Sequence, residues 1–113
     1  MNYLKYKIVE RLRIDLNLPL SNIANILNIS ERTLARRKKE GQFHEKESRR
    51  LSQFLELIKI AEDVMGDRET AIIWLKSSKR LFKGVSPIEY AYTESGLNEV
   101  VDFLGRIDHG VFS

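Results

Sequence analysis

The stretch Leu20 to Gly41, LSNIANILNISERTLARRKKEG, constrains this chain most, because it reads as two short helices joined by a tight break. Ile23, Ala24, Ile26 and Leu27 recur at helical spacing, and the pattern stops at Asn28. Asparagine is one of the few non-glycine residues that tolerates the left-handed conformation such a break needs. The next helix starts at Ser30, whose hydroxyl can cap free backbone N–H groups, and Glu31 suits the positive end of the dipole. Small Ala24 lets the two helices cross closely, with Ile29 and Leu34 expected to fill the space between them. Arg32, Thr33, Arg36, Arg37 and Lys38 are then left for the exposed side, and Lys39 follows. This is the pattern of a helix-turn-helix that ends in a basic helix. Such a helix can set its first side chains against base edges and its cations against phosphates. Ser30, Arg32, Thr33, Arg36, Arg37 and Lys38 are accordingly the candidate DNA-binding residues. A merely solvated basic helix would carry the same charges, but it would not need the small residue, the turn residue and the cap together.

Charge is unevenly spread along the 113 residues. Residues 1–50 hold 12 Lys or Arg against 6 Asp or Glu, whereas residues 51–113 hold 7 against 10. A basic first half facing nucleic acid and a second half with another task fit that asymmetry. An apolar content of 42% with 31% charged residues describes a globular chain rather than a disordered one. No apolar run approaches the length of a bilayer span, and MNYLKYKIVERLRID lacks the apolar core of a signal peptide, so no membrane partner is expected. The absence of cysteine excludes disulfides and thiolate chemistry and fits a reducing, cytoplasmic setting.

The rest of the chain also reads as helical, giving an all-α fold. Leu4, Ile8, Leu12 and Leu16 predict a helix over Asn2 to Asp15. A long helix is expected from Glu45 to Met65, with Leu51, Phe54, Leu55, Ile58, Ala61 and Met65 along one stripe. Leu57, Ile60 and Val64 widen that stripe beyond what one small domain needs, which suggests burial between two halves or in a homodimer. Gly66 and Asp67 separate it from a helix holding Ala71, Ile72, Trp74 and Leu75. Ser86-Pro87-Ile88-Glu89 forms a capping box with proline at the first helical position. A last helix is expected from Gly96 to His109, closed by Gly110. The resulting division is 1–44, 45–66 and 67–113.

The catalytic inventory is thin. His44 and His109 are far apart, and no Walker loop, dinucleotide-binding glycine pattern or HExxH is present, so neither an enzyme nor a cofactor is expected. Two apolar residues, Val111 and Phe112, stand near the end of the chain behind Gly110. They can fold back on the same protein or anchor a partner's pocket, and the pattern favours neither.

The ordered segments RTLARRKKEG, ESRRL, AIIWL, GVSPIEY and GRIDHG resemble the Xre/MbcA/ParS antitoxins of bacterial type II toxin–antitoxin systems, from about residue 18 onward. The resemblance implies a two-part antitoxin, with an Xre-like helix-turn-helix that binds the operator of its own operon. It implies a C-terminal domain that neutralises a cognate toxin, usually a RES-domain protein acting on NAD. Carried onto this chain, it assigns toxin binding to Arg106, His109, Gly110, Val111, Phe112 and Ser113. In these terms residues 1–44 are the DNA-binding region, 45–66 a linking or dimerisation helix and 67–113 a helical toxin-binding domain. The region before the helix-turn-helix is shorter than in many relatives, so DNA binding is expected to rest on a homodimer. The alternative is a stand-alone transcriptional regulator whose second half dimerises or binds a small ligand.

Overall fold

The computed structural model describes residues 3–108. They form seven α-helices: α1 (Lys7–Leu16), α2 (Leu20–Leu27), α3 (Glu31–Glu40), α4 (Glu45–Met65), α5 (Arg68–Lys76), α6 (Pro87–Tyr90) and α7 (Glu94–Asp108), with a 3-10 turn at Arg80–Phe82. Among the described residues no strand occurs, only an isolated antiparallel bridge between Lys5 and Gln42. The all-α expectation therefore holds. The chain divides into two compact units, and the division falls inside α4 between Phe54 and Leu55.

In the first unit, α1 begins at Lys7 rather than at Asn2. The residues before it pair instead with the segment that leaves α3, through an isolated bridge between Lys5 and Gln42. Tyr6 N–H donates to the Gly41 carbonyl at 3.0 Å and Phe43 N–H to the Leu4 carbonyl at 2.8 Å. The Leu4 N–H donates to the Ser48 hydroxyl at 2.9 Å, so these backbone groups are satisfied without a helix. The buried stripe of α1 is Val9, Leu12 and Leu16, with Ile8 only half-buried. Ile23, Ala24, Ile26 and Leu27 of α2 are all buried, as the spacing predicts. Asn28 takes the left-handed conformation at φ 59°, and the following Ile29 N–H donates back to the Ala24 carbonyl. Gly41, at φ +81°, ends α3 in a conformation that costs a side-chain-bearing residue about 1 kcal/mol. Phe43 is fully buried and stacks on Tyr6 with centroids 5.4 Å apart.

The long helix α4 has the expected bounds. Leu51, Phe54, Leu57, Ile58 and Ala61 are buried, whereas Leu55, Ile60, Val64 and Met65 are half-buried.

In the second unit, the Asp67 carboxylate caps α5 by accepting the Thr70 N–H at 2.7 Å. Ser86 and Glu89 make the capping box of α6, with Pro87 at its first position. The last helix starts at Glu94, two residues before the expected Gly96. The reason is Thr93, whose hydroxyl oxygen accepts the Gly96 N–H at 3.0 Å and whose carbonyl accepts the Leu97 N–H at 2.9 Å. Ala71, Leu75, Phe82, Ile88, Ala91, Leu97, Val100 and Leu104 are buried.

Candidate functional site

Two surfaces carry the candidate residues, one on each unit. On the first, α3 buries a single residue, Leu34. At 100° per residue, Arg32, Arg36 and Lys39 fall in a row on the side opposite Leu34, and all three are exposed. Ser30 holds the start of this helix. Its side-chain oxygen accepts the Thr33 N–H at 3.0 Å, and its hydroxyl lies 3.1 Å from the Thr33 Oγ1. Thr33 Oγ1 in turn accepts from the Arg36 guanidinium at 3.3 Å. Cap, threonine and arginine thus form one chain of contacts along the exposed edge.

Lys38 stands elsewhere. It lines a groove of about 280 Å³ between α1 and α3, with Tyr6, Val9, Glu10, Arg13 and Glu31 among the other walls. Arg37, expected on the exposed side, turns inward. Its side chain is only 11% exposed, and its Nε and Nη2 donate to Glu47 at 2.7 and 2.9 Å while Nη1 donates to Glu40 at 2.9 Å. With all three nitrogens engaged, Arg37 fixes the end of α3 to the start of α4. Pattern alone put it with the phosphate contacts because a basic run does not reveal which member finds a carboxylate ten residues on.

Electrostatics agree with that geometry. Burial pushes the Glu47 carboxyl up, but the Arg37 guanidinium and the His44 N–H at 3.0 Å outweigh it and hold it below the usual range. Contact with His44 and Arg37 likewise lowers Glu40. The side chain of Glu47 also reaches back to the residue that precedes α4, which is half of a capping box. A glutamate three positions after His44 is the signal that sequence reading passed over. A second unforeseen residue is Arg50, buried to 6% exposure. Its Nε donates to the Ile26 carbonyl at 2.8 Å, and its guanidinium lies 5.0 Å from the Phe54 ring centroid. It therefore satisfies an orphan carbonyl near the end of α2.

On the second unit, Trp74, Phe82, Tyr90 and Phe103 form an aromatic cluster. Trp74 and Phe103 stack at 6.0 Å, Phe82 meets both edge-on, and Phe82 and Tyr90 lie 5.0 Å apart. Beside it, a depression of about 150 Å³ is lined by Leu81, Phe82, Glu99, Asp102, Phe103 and Arg106. Arg106, a candidate toxin-binding residue, is exposed there. The other candidates, His109, Gly110, Val111, Phe112 and Ser113, lie outside the described residues. Among the described residues no group of three or more His, Cys, Asp or Glu is placed to hold a metal ion, and no helix is long and apolar enough to cross a membrane.

Comparison with known proteins assigns both halves. Residues 4–56 match the antitoxin Xre-like helix-turn-helix domain, and residues 61–110 match the antitoxin Xre/MbcA/ParS C-terminal toxin-binding domain. The chain is 32% identical over 108 residues to Antitoxin Xre of Yersinia enterocolitica, covering 94% of this chain and 73% of that protein. The chain belongs to the Xre antitoxin family. Antitoxin Xre of Photorhabdus laumondii is 35% identical over 94 residues, which span 81% of this chain and 64% of that relative. The fold is shared with a chain from the crystal structure of the M. tuberculosis MbcT–MbcA toxin–antitoxin complex. The TM-score is 0.64 at 22% identity, with 96% of each chain covered. Within the Xre family frame, the helix-turn-helix match takes in α1 to α3 and the capped basic helix. The toxin-binding match takes in α5 to α7, the aromatic cluster and Arg106.

Proposed function

We propose that this chain is an antitoxin that binds and neutralises a cognate RES-domain, NAD-targeting toxin through its C-terminal half and represses its own operon through α3. The observation that carries this reading is the order of the two family matches, helix-turn-helix first and toxin-binding domain second, over nearly the whole chain. The exposed row of Arg32, Arg36 and Lys39 supports the DNA half of the proposal. Thr33 and Arg32 near the start of α3 read base edges, Arg36 and Lys39 of the exposed row meet phosphates, and Ser30 sets the helix start against the backbone. Arg37 contributes by holding the helix. One such helix reads few base pairs, so the chain acts as a homodimer, and the half-buried Leu55, Ile60, Val64 and Met65 of α4 are its candidate interface.

Toxin inhibition is by occlusion, with no chemistry done by this chain. NAD is anionic, so its cleft presents cations or N–H donors, which a carboxylate such as that of Asp108 suits. Phe112 occupies apolar space in the toxin, while Arg106 pairs with a toxin carboxylate.

Growth rescue tests the proposal. The product of the neighbouring gene is co-expressed with this chain, either full length or ending at Gly110. Rescue by the full chain and not by the truncation supports both the antitoxin role and the role of the last three residues. Rescue by both keeps the antitoxin and discards the tail. A neighbour that is harmless on its own favours a stand-alone regulator instead.

A further inference from the structure

We propose that the 3-10 turn Arg80–Phe82, with its flanking cations, is a second docking surface for the toxin, adjacent to Arg106. Leu81 enters an apolar recess of the toxin whose rim carries carboxylates for Arg80 and Lys83. The inference rests on the antitoxin reading and adds to it a surface outside the chain's last residues.

Leu81 is 57% exposed, although its neighbour Phe82 is buried in the aromatic cluster. The turn that presents it is closed by its own backbone. Phe82 and Gly84 N–H groups both donate to the Lys79 carbonyl, at 3.0 and 2.9 Å, and the Lys79 N–H donates to the Val85 carbonyl at 3.0 Å. An apolar side chain held on a closed turn loses little freedom on binding, which is what an interface anchor requires. Charge points the same way. Lys76, Lys79, Arg80 and Lys83 fall within eight residues that contain no acid, in a half of the chain whose acids outnumber its bases. Lys79 is drawn over the Trp74 ring at 5.7 Å, whereas Arg80 and Lys83 are exposed beside Leu81.

The depression next to the turn runs from Leu81 to Arg106, so the new surface and the proposed toxin contact are continuous. Its other walls include Glu99 and Asp102. Those carboxylates repel a phosphate backbone, and a leucine adds nothing to a backbone contact. A protein of complementary pattern fits where nucleic acid does not.

The test uses the full-length chain in calorimetric titrations with the purified product of the neighbouring gene and, in parallel, with a duplex from its own promoter. Leu81→Ser and the pair Arg80→Glu with Lys83→Glu are each expected to weaken toxin binding at least tenfold. Melting temperature and DNA affinity stay unchanged. The loss from the charge pair shrinks at high salt, and that from Leu81→Ser persists. Toxin affinity within twofold of the parent for both variants overturns the proposal while leaving the antitoxin reading intact. A loss of DNA affinity with toxin binding retained overturns it in favour of nucleic acid. No toxin binding by the parent chain overturns the antitoxin reading, and this inference with it.

Discussion

Arg37 and Glu47 lock the end of one helix to the start of the next, through Nε at 2.7 Å and Nη2 at 2.9 Å on the two oxygens of one carboxylate. The side chains are 11% and 8% exposed, so the pair is nearly dry. A two-pronged contact of this kind fixes orientation as well as distance. It sets the direction in which α3 presents Arg32 and Arg36.

Removing either partner leaves a charge with little solvent. Arg37→Ala and Glu47→Ala are each expected to cost about 3 kcal/mol, at the low end for a buried pair because Arg37 keeps some exposure. Arg37→Lys retains the charge but loses the fork and is expected to cost about half as much. Urea unfolding followed by far-UV circular dichroism measures both. A loss under about 0.5 kcal/mol for Glu47→Ala would place the pair among ordinary surface salt bridges.

The same carboxylate gives the fold an acid limit. Glu47 titrates below its ordinary value of 4.5 when folded, so the folded state binds its proton less readily than the unfolded chain. Its contribution is therefore complete above the unfolded value and fades as pH falls from about 4.5 through the lower folded value. Asp67, lowered from 3.8 by the Thr70 N–H it accepts, adds a second loss in the same direction. Melting temperature should hold level down to about pH 5 and then fall, and Glu47→Gln should flatten the upper part of that fall. An unchanged acid profile in Glu47→Gln would count against this linkage.

Salt dependence separates phosphate contacts from the clamp. Each phosphate neutralised lowers log affinity by roughly 0.9 per log unit of salt. Arg36→Ala and Lys39→Ala should each reduce that slope by about one for a promoter duplex, whereas Arg32→Ala should cost about 1–3 kcal/mol in sequence preference. Arg37→Met, measured where it remains folded, should leave the slope unaltered. Fluorescence anisotropy across a salt series decides, and a slope indifferent to Arg36 would remove α3 from the DNA interface.

Features written within a few residues were legible in the sequence. Ser30, Asp67 and Ser86 announce helix starts because a short side chain reaches N–H groups only two or three positions ahead. Asn28 announces a break because few residues tolerate its dihedral angles. What escaped is non-local. The start of α1 is set by pairing with Gly41 and Phe43, some 35 residues on, so periodicity overextended that helix. The inward turn of Arg37 depends on Glu47, and the value of Arg50 on a carbonyl of α2, and no spacing rule connects those positions. The exposure of Leu81 depends on the closed backbone of its turn and on Phe82 being drawn into the aromatic cluster, which no spacing of apolar residues encodes.

Two glycines of α7 make the last prediction, since one substitution should act in opposite directions on a single helix. Gly96 is buried in the first turn, and a Cβ there would collide with the Tyr90 carbonyl oxygen and crowd the Thr93 hydroxyl that caps the helix. Backbone cannot swing aside as a side chain does, so Gly96→Ala must displace the end of α6 or unwind the start of α7. A cost of about 3 kcal/mol is expected, with loss of the Thr93 cap. Gly105, one residue before Arg106, has nothing within 4 Å of the same added atom. There the methyl only removes backbone freedom from the unfolded chain, and Gly105→Ala should gain about 0.5–1 kcal/mol. Thermal melting of the two variants beside the parent should give one curve shifted down by many degrees and one shifted slightly up. If both fall together, the end of α7 is held by contacts at Gly105 that a helix alone does not require.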